Sequence, residues 1–484
     1  MKTTNLAGIG CAAMSLMSVP GLAQNSSRPN ILYVMTDQQS YYAVSALVDH
    51  IGNSPYAGNR HFSTPNLDRL VSNGYAFTHC YAANPVSGPS RFALVTGESP
   101  KAYGMSGNYS PGGENGKKIQ ELQSSRAMGT LFRAAGYETV YAGKVHLPWA
   151  NGTGGKESIY NPPYAYGFSE FLTYDDREEL ERTCVDWLDK RQGSDPFLLF
   201  VSFMNPHDIC MSRLLFGDNK IDDFLHNERE LGARRNQLKF RDIYQAMDQS
   251  LFDSDTLAAL PANSAPSLDY PSLKRPRGEM YSDAHKVRAH IWFYYRLVEQ
   301  VDSMIGSVLD ALERNGYADN TVIVFTSDHG EMGGSHGFSG KNQPFEECQR
   351  VPFIFAGKGI PKGVTDDTPV CNGWDLLPTI LEIAGIDIPS QLNGKSLYKH
   401  MIMGKPLGRD YLYMESVNTY GVLKNGRYKY TQLEDPDPEY GGEALTDLAV
   451  DPGETRNLIH DAAYTDIVKE LRDVLKTEME KYRR

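Results

Sequence analysis

Two apolar runs far apart in the chain end in the same way. "RPNILYVMTDQQ" (28–39) closes on Asp37 and Gln38, and "NTVIVFTSDHGE" (320–331) closes on Asp328 and His329. Either tail alone reads as loop capping. Together, on matching strand ends, they put two carboxylates where they repel unless a cation lies between them. Hard divalent ions prefer carboxylate and carbonyl oxygen. Positive charge recurs in three glycine-containing turns: Arg91 in "SGPSR", Lys144 in "AGKVH" and Lys341 in "GGSHGFSGK". Such cations suit an anionic ligand. His146 in "GKVH" and His207 in "NPHD" can serve as proton donor and acceptor. Ser87 sits in "NPVSGPSRFALVTGESP", where a serine among Pro and Gly is ordinarily turn chemistry. Its guanidinium neighbour, Arg91, raises the question of a nucleophile.

These residues need a scaffold that brings strand ends together. The runs 28–39, 138–146, 196–208 and 320–331 read as buried, parallel strands, each delivering Asp, Lys or His at its C-terminal end. Helical segments at 130–137 and 291–317 separate them, an alternation that predicts an α/β sheet covered by helices on both faces. In such sheets sites form outside the carboxyl ends of the strands. Residues 209–285 read as an irregular insertion near the cleft mouth, with charge-rich helices followed by a Pro/Ser stretch. Beyond 400 the pattern changes to short antiparallel strands, with Asn425-Gly426 as a hairpin turn. The chain closes on a helix with Ile467, Leu471, Val474 and Leu475 along one face.

The 484 residues, 40% hydrophobic and 22% charged, suit two unequal globular domains. A net charge of −12 argues against a general nucleic-acid binder. Lys2 followed by an apolar run and "PGLAQ" predicts a signal peptide over 1–23, hence an exported, periplasmic protein without a membrane span. Five cysteines remain after it (Cys80, Cys184, Cys210, Cys348 and Cys371) with no CxxC pair, so neither a zinc cluster nor a disulfide framework is expected.

Taken in order, "TDQQ", Ser87-Gly88-Pro89-Ser90-Arg91 running on to Thr96-Gly97, "GKVH", "NPH", "SDHGE" and "GK" resemble the type I sulfatases of the alkaline-phosphatase superfamily. The match covers roughly 28–458. The resemblance implies a large, mostly parallel mixed sheet sandwiched by helices (24–400) and a smaller C-terminal α+β domain built on an antiparallel sheet (401–484). It implies that Ser87 is oxidised to Cα-formylglycine, whose hydrate attacks sulfur and then expels sulfate. A serine at this position resembles the version modified by an anaerobic sulfatase-maturating enzyme before export.

The family pattern further makes Asp37, Gln38, residue 87, Asp328 and His329 calcium ligands. Lys144 and Lys341 become sulfate ligands, His146 a partner of the nucleophile's hydroxyl, His207 the leaving-group acid and Arg91 a partner of the nucleophile. Gln38 departs from the commoner acidic residue, which lowers the negative charge offered to calcium, and His329 departs from the commoner Asn. Family members of this kind act on sulfated carbohydrates, and an exo-acting enzyme on glycosaminoglycan or mucin-type oligosaccharides is expected here. Trp149, Tyr160, Tyr164, Glu415, Asn418 and Tyr420 are the expected sugar contacts. Two alternatives share the motifs: a phosphonate or phosphate monoester hydrolase, and a non-catalytic binder of sulfated glycans.

Overall fold

The computed structural model describes residues 28–50, 55–56, 58–148, 161–174, 177, 179–216, 231–265, 283–437 and 441–483. The expected leader, 1–23, lies outside them. In chain order the main sheet comprises β1 (Asn30–Asp37), β2 (Gly74–Tyr81), β3 (Glu138–Gly143), β4 (Glu170–Phe171), β5 (Phe197–Pro206), β6 (Thr321–Ser327), β7 (Arg350–Gly357), β8 (Val364–Asp366) and β9 (Val370–Cys371). Their spatial order is β4-β3-β5-β1-β6-β7-β2-β8, with β9 also on β2. β7 pairs antiparallel with both β6 and β2, and every other pairing is parallel.

The continuous apolar runs follow from burial on both faces. Along β1, Ile31, Tyr33 and Met35 pack into one layer while Leu32 and Val34 pack into the other. The first layer is closed by helices Ser87–Thr96, Met128–Ala134 and Asn372–Ile383 through Phe92, Phe132 and Leu377. The second is closed by helices Pro65–Ser72, Leu180–Lys190 and Ala284–Arg314 through Leu67, Leu188 and Ile305. Each such side chain contributes about 1.5–3 kcal/mol on burial.

Strand register aligns the four tips. Thr36 is level with Ser327 and Asp37 with Pro206, so Asp328 and His207 emerge on either side of Asp37. Gly143 is level with Ser202, which brings Lys144 to the same edge. A side chain on Gly143 (φ +88°) would place its Cβ 2.2 Å from the Ser202 carbonyl oxygen, so glycine is required for this close approach.

The second sheet runs β10 (Tyr411–Glu415), β11 (Thr419–Lys424), β12 (Tyr428–Asp437), β13 (Gly441–Asp447), all antiparallel. Asn425 and Gly426 make the β11–β12 turn with φ of 50° and 70°. Helix Thr465–Tyr482 covers this sheet with Leu471 and Leu475 buried and Ile467 and Val474 partly so. The boundary expected at 400 falls inside helix Tyr398–Met403, whose Met401 packs with the main core, so the change of architecture comes after it.

Among the described residues, the segment 209–285 carries a helix at Leu231–Ala246, and 3-10 turns lie at His207–Phe216 and Gln249–Phe252. The five cysteines among the described residues are free thiols, four buried and Cys210 exposed. Among the described residues no helix is long and apolar enough to cross a membrane.

Candidate active site

Ser87 is the first residue of helix Ser87–Thr96. Its Oγ lies 3.0 Å from His329 Nε2 and accepts from Lys341 Nζ at 3.1 Å. A hydroxyl at a helix N-terminus beside an ammonium sits in positive potential, which favours developing negative charge there.

Arg91, one turn on and 1% exposed, joins the two strands that carry the acids. Its Nη2 donates to Asp37 Oδ2 and its Nε to Asp328 Oδ2, each at 2.9 Å. Nη1 donates to the Lys144 carbonyl at 3.0 Å and to Ser202 Oγ at 2.7 Å. These four bonds tie the Arg91 side chain to both acids and to the β3 and β5 tips. Lys144 Nζ donates to Asp37 Oδ2 at 2.6 Å.

The inner oxygens behave differently. Asp37 Oδ1 is buried with no hydrogen-bond partner, 3.9 Å from both His329 Nε2 and Lys341 Nζ. Asp328 Oδ1 accepts from the Gln38 backbone N–H at 3.1 Å and is 3.6 Å from His329 Nε2. Ligand atoms of Asp37, Asp328 and His329 all lie within 4.8 Å of one another. A buried carboxylate oxygen without a donor is costly, and oxygen-rich surroundings with one imidazole suit a hard divalent cation. The residues present therefore fit a hard divalent cation.

Gln38 leaves β1 with φ 73°, which directs its amide back toward this cluster, where Oε1 accepts from Lys341 Nζ at 3.1 Å. Of the expected ligands, Asp37, Gln38, Ser87, Asp328 and His329 therefore converge.

Electrostatics follow from burial among these charges. Burial alone would raise Asp37, but Lys144, Lys341, His207 and Arg91 hold it well below the usual carboxylate range. Burial and then the Asp37 charge push Asp328 up to about 7. Burial lowers Lys144, with Asp37 opposing. His146 and His207 lie well below the ordinary imidazole value, first through burial and next through Lys144, so both are neutral near pH 7.

Both histidines bury an Nδ1 that has no partner, and His207 as a residue is half-buried. His146 has φ 47° and brings its Nε2 against Gly88, where an added Cβ would lie 3.7 Å from it. That Cβ would also come 3.1 Å from Asn108 Oδ1, which accepts the Gly88 N–H at 2.8 Å.

Asn108 was not legible as a site residue, because an exposed loop asparagine carries no periodicity and no motif. Ser202 was hidden likewise inside an apolar strand. Among the expected sugar contacts, Trp149 and Tyr160 lie outside the described residues, and Tyr164 is 55% exposed on a 3-10 turn. Glu415 is corrected: it is 1% exposed and tied to Ser99 Oγ, to Tyr413 Oη at 3.0 Å and to Lys101 N at 3.3 Å. Tyr420 is buried too, with Lys101 Nζ 3.6 Å above its ring centre. Asn418 is exposed, two residues from Ser416, whose Oγ bonds Asn342 beside Lys341 at 3.1 Å.

A family model described as "Sulfatase" matches residues 29–386, which includes all of these strand tips. The chain belongs to the sulfatase family. It is a sulfuric ester hydrolase. A second model, "N-sulphoglucosamine sulphohydrolase, C-terminal", matches residues 334–481. A Delta 4,5-hexuronate-2-O-sulfatase of Bacteroides thetaiotaomicron is 29% identical, covering 96% of this chain and 91% of its own. An N-acetylglucosamine-6-O-sulfatase of the same organism is 26% identical, covering 98% and 90%. The solved structure of a 2-O GAG sulfatase superposes with a TM-score of 0.69 at 24% identity, covering 94% of this chain and 93% of the other. That likeness speaks to the fold.

Proposed function

We propose that this sulfatase removes sulfate from carbohydrates, with residue 87 as nucleophile and a calcium ion on Asp37, Gln38, Asp328 and His329. The observation that carries the reading is the unpartnered, buried Asp37 Oδ1 facing His329, with the Ser87 hydroxyl 3.0 Å from the same imidazole. Calcium would supply positive charge to the sulfate oxygens and make the hydroxyl of residue 87 easier to ionise. Conversion of Ser87 to formylglycine would supply a second hydroxyl, which permits release of sulfate after attack. The sulfated-sugar substrate is supported by the two relatives named above. They act on different sugar positions, so the rim residues rather than the tips distinguish substrates. Export to the periplasm is supported by the signal-like segment over 1–23.

The chain's own residues divide the remaining work. Lys144 and Lys341 hold the sulfate oxygens, and His146 orients the hydroxyl of residue 87. Arg91 keeps both acids aligned and favours their charged forms. His207 donates the proton to the departing sugar oxygen. It is neutral in the free protein because burial and the two ammonium groups oppose its charge. A bound sulfate anion offsets those groups, so proton uptake accompanies substrate binding.

Two results check this reading. His207→Ala should cost about 10²–10⁴-fold on a sugar sulfate and far less on a nitrophenyl sulfate, whose leaving group needs little acid assistance. Equal losses on both would assign His207 to binding alone. Calcium added to chelated protein should raise the unfolding temperature, by about 2.7 kcal/mol of stabilisation at a hundred times Kd. An unchanged melt and full activity in chelator would remove the cation from the account.

A further inference from the structure

Glu331 closes the "SDHGE" run, is wholly buried, and has no part in the chemistry above. Its two oxygens reach two separate pieces of the site. Oε2 accepts a short hydrogen bond from Gln38 Nε2. Oε1 accepts from the backbone N–H of Gly340 at 2.5 Å and of Gly333 at 3.1 Å. His290 Nε2, from helix Ala284–Arg314, stands 3.6 Å from the same oxygen, and His290 Nδ1 bonds Ser212 Oγ at 2.9 Å. Gly340 immediately precedes Lys341.

An amide is nearly symmetric in shape, so packing alone does not decide which end of Gln38 faces the cation. Hydrogen bonding does. A carboxylate accepts only, so it fixes the NH₂ end toward Glu331, and the oxygen is then turned to Lys341 Nζ at 3.1 Å. The reverse orientation would set oxygen against carboxylate and NH₂ against ammonium, two repulsive contacts at once. The same carboxylate anchors the loop that carries Lys341.

We propose that Glu331 is a positioning residue that selects the metal-binding orientation of the Gln38 amide and fixes the reach of Lys341. The idea rests on the cation seat proposed above. It also offers a physical reason why an amide can stand where a carboxylate would otherwise serve: the partner carboxylate gives the amide a single orientation.

The test is calcium titration calorimetry on the unmodified, Ser87 form of the full chain, so that turnover plays no part. Glu331→Gln should weaken calcium binding about 10–100-fold, the usual cost of losing a group that orients a ligand. The same change in a Gln38→Glu background should cost nothing, because both side-chain atoms of residue 38 are then oxygen and the new amide can donate to them. If Glu331→Gln alone fails to fold, the reciprocal pair Gln38→Glu/Glu331→Gln carries the test and should fold and bind calcium no more weakly than Gln38→Glu. Equal losses in both backgrounds, or a reciprocal pair that does not fold, would overturn the role of Glu331 alone. No calcium uptake by the parent protein would overturn the cation seat and this proposal with it.

Discussion

Protein produced without a serine-type maturase is expected to fold, to bind calcium and to turn over no sulfate ester. The polar contacts of Ser87 run through Oγ to His329 and Lys341, and they exist without the modification. Asp37, Asp328, Arg91 and Lys144 are held by one another and by backbone groups, independently of residue 87. Binding should therefore survive. Turnover should not, because a serine oxygen bonded to sulfur has no second hydroxyl proton with which to expel sulfate. Ser87→Ala should match the unmodified form, with a loss on the order of 10⁶-fold, the scale seen when a covalent nucleophile is deleted. Co-expression with the maturase should restore activity in proportion to the fraction of residue 87 that has lost two hydrogens by peptide mass. Multiple turnovers from a preparation containing only serine would refute the nucleophile assignment.

Arg91→Met should be the most destabilising single change at the site and should also abolish activity. The methionine keeps most of the volume but leaves Asp37 with Lys144 as its buried cationic partner and deprives Asp328 Oδ2 of its donor. Breaking a buried pair from one side costs about 3–5 kcal/mol, since the remaining charge is desolvated without compensation. Calcium would offset part of that charge, so the loss should be larger in chelator than in calcium. A denaturation midpoint equal to the parent's under both conditions would contradict the central role given to this guanidinium.

The strand tips were legible in the sequence because parallel strands buried on both sides must be apolar throughout, and a polar residue at the end of such a run stands out. Asp37, Lys144, His207 and Asp328 were found in that way. β7 runs antiparallel among parallel neighbours, and nothing in "RVPFIFAG" records direction. β4 and β9 have two residues and β8 three, too few for any period. Glu331 stood inside a recognised motif, yet its role depends on Gln38 from another strand and on Gly340, a loop closure that local sequence does not encode. Glu415 has the chemistry of a sugar contact, yet its carboxylate is spent on Ser99, Tyr413 and the Lys101 backbone inside the protein. A carboxylate's availability depends on its partners, which composition does not reveal.

The central claim is that this site hydrolyses sulfate esters of sugars. Its most direct test is ion chromatography of inorganic sulfate released by matured, calcium-loaded protein from defined sulfated mono- and disaccharides. Matching phosphate esters and phosphonates are run beside them. Sulfate is expected together with the desulfated sugar from at least one of these saccharides, with much slower release from the phosphorus esters. Phosphorus-ester cleavage without any sulfate release, at the same modified fraction of residue 87, would contradict the claim.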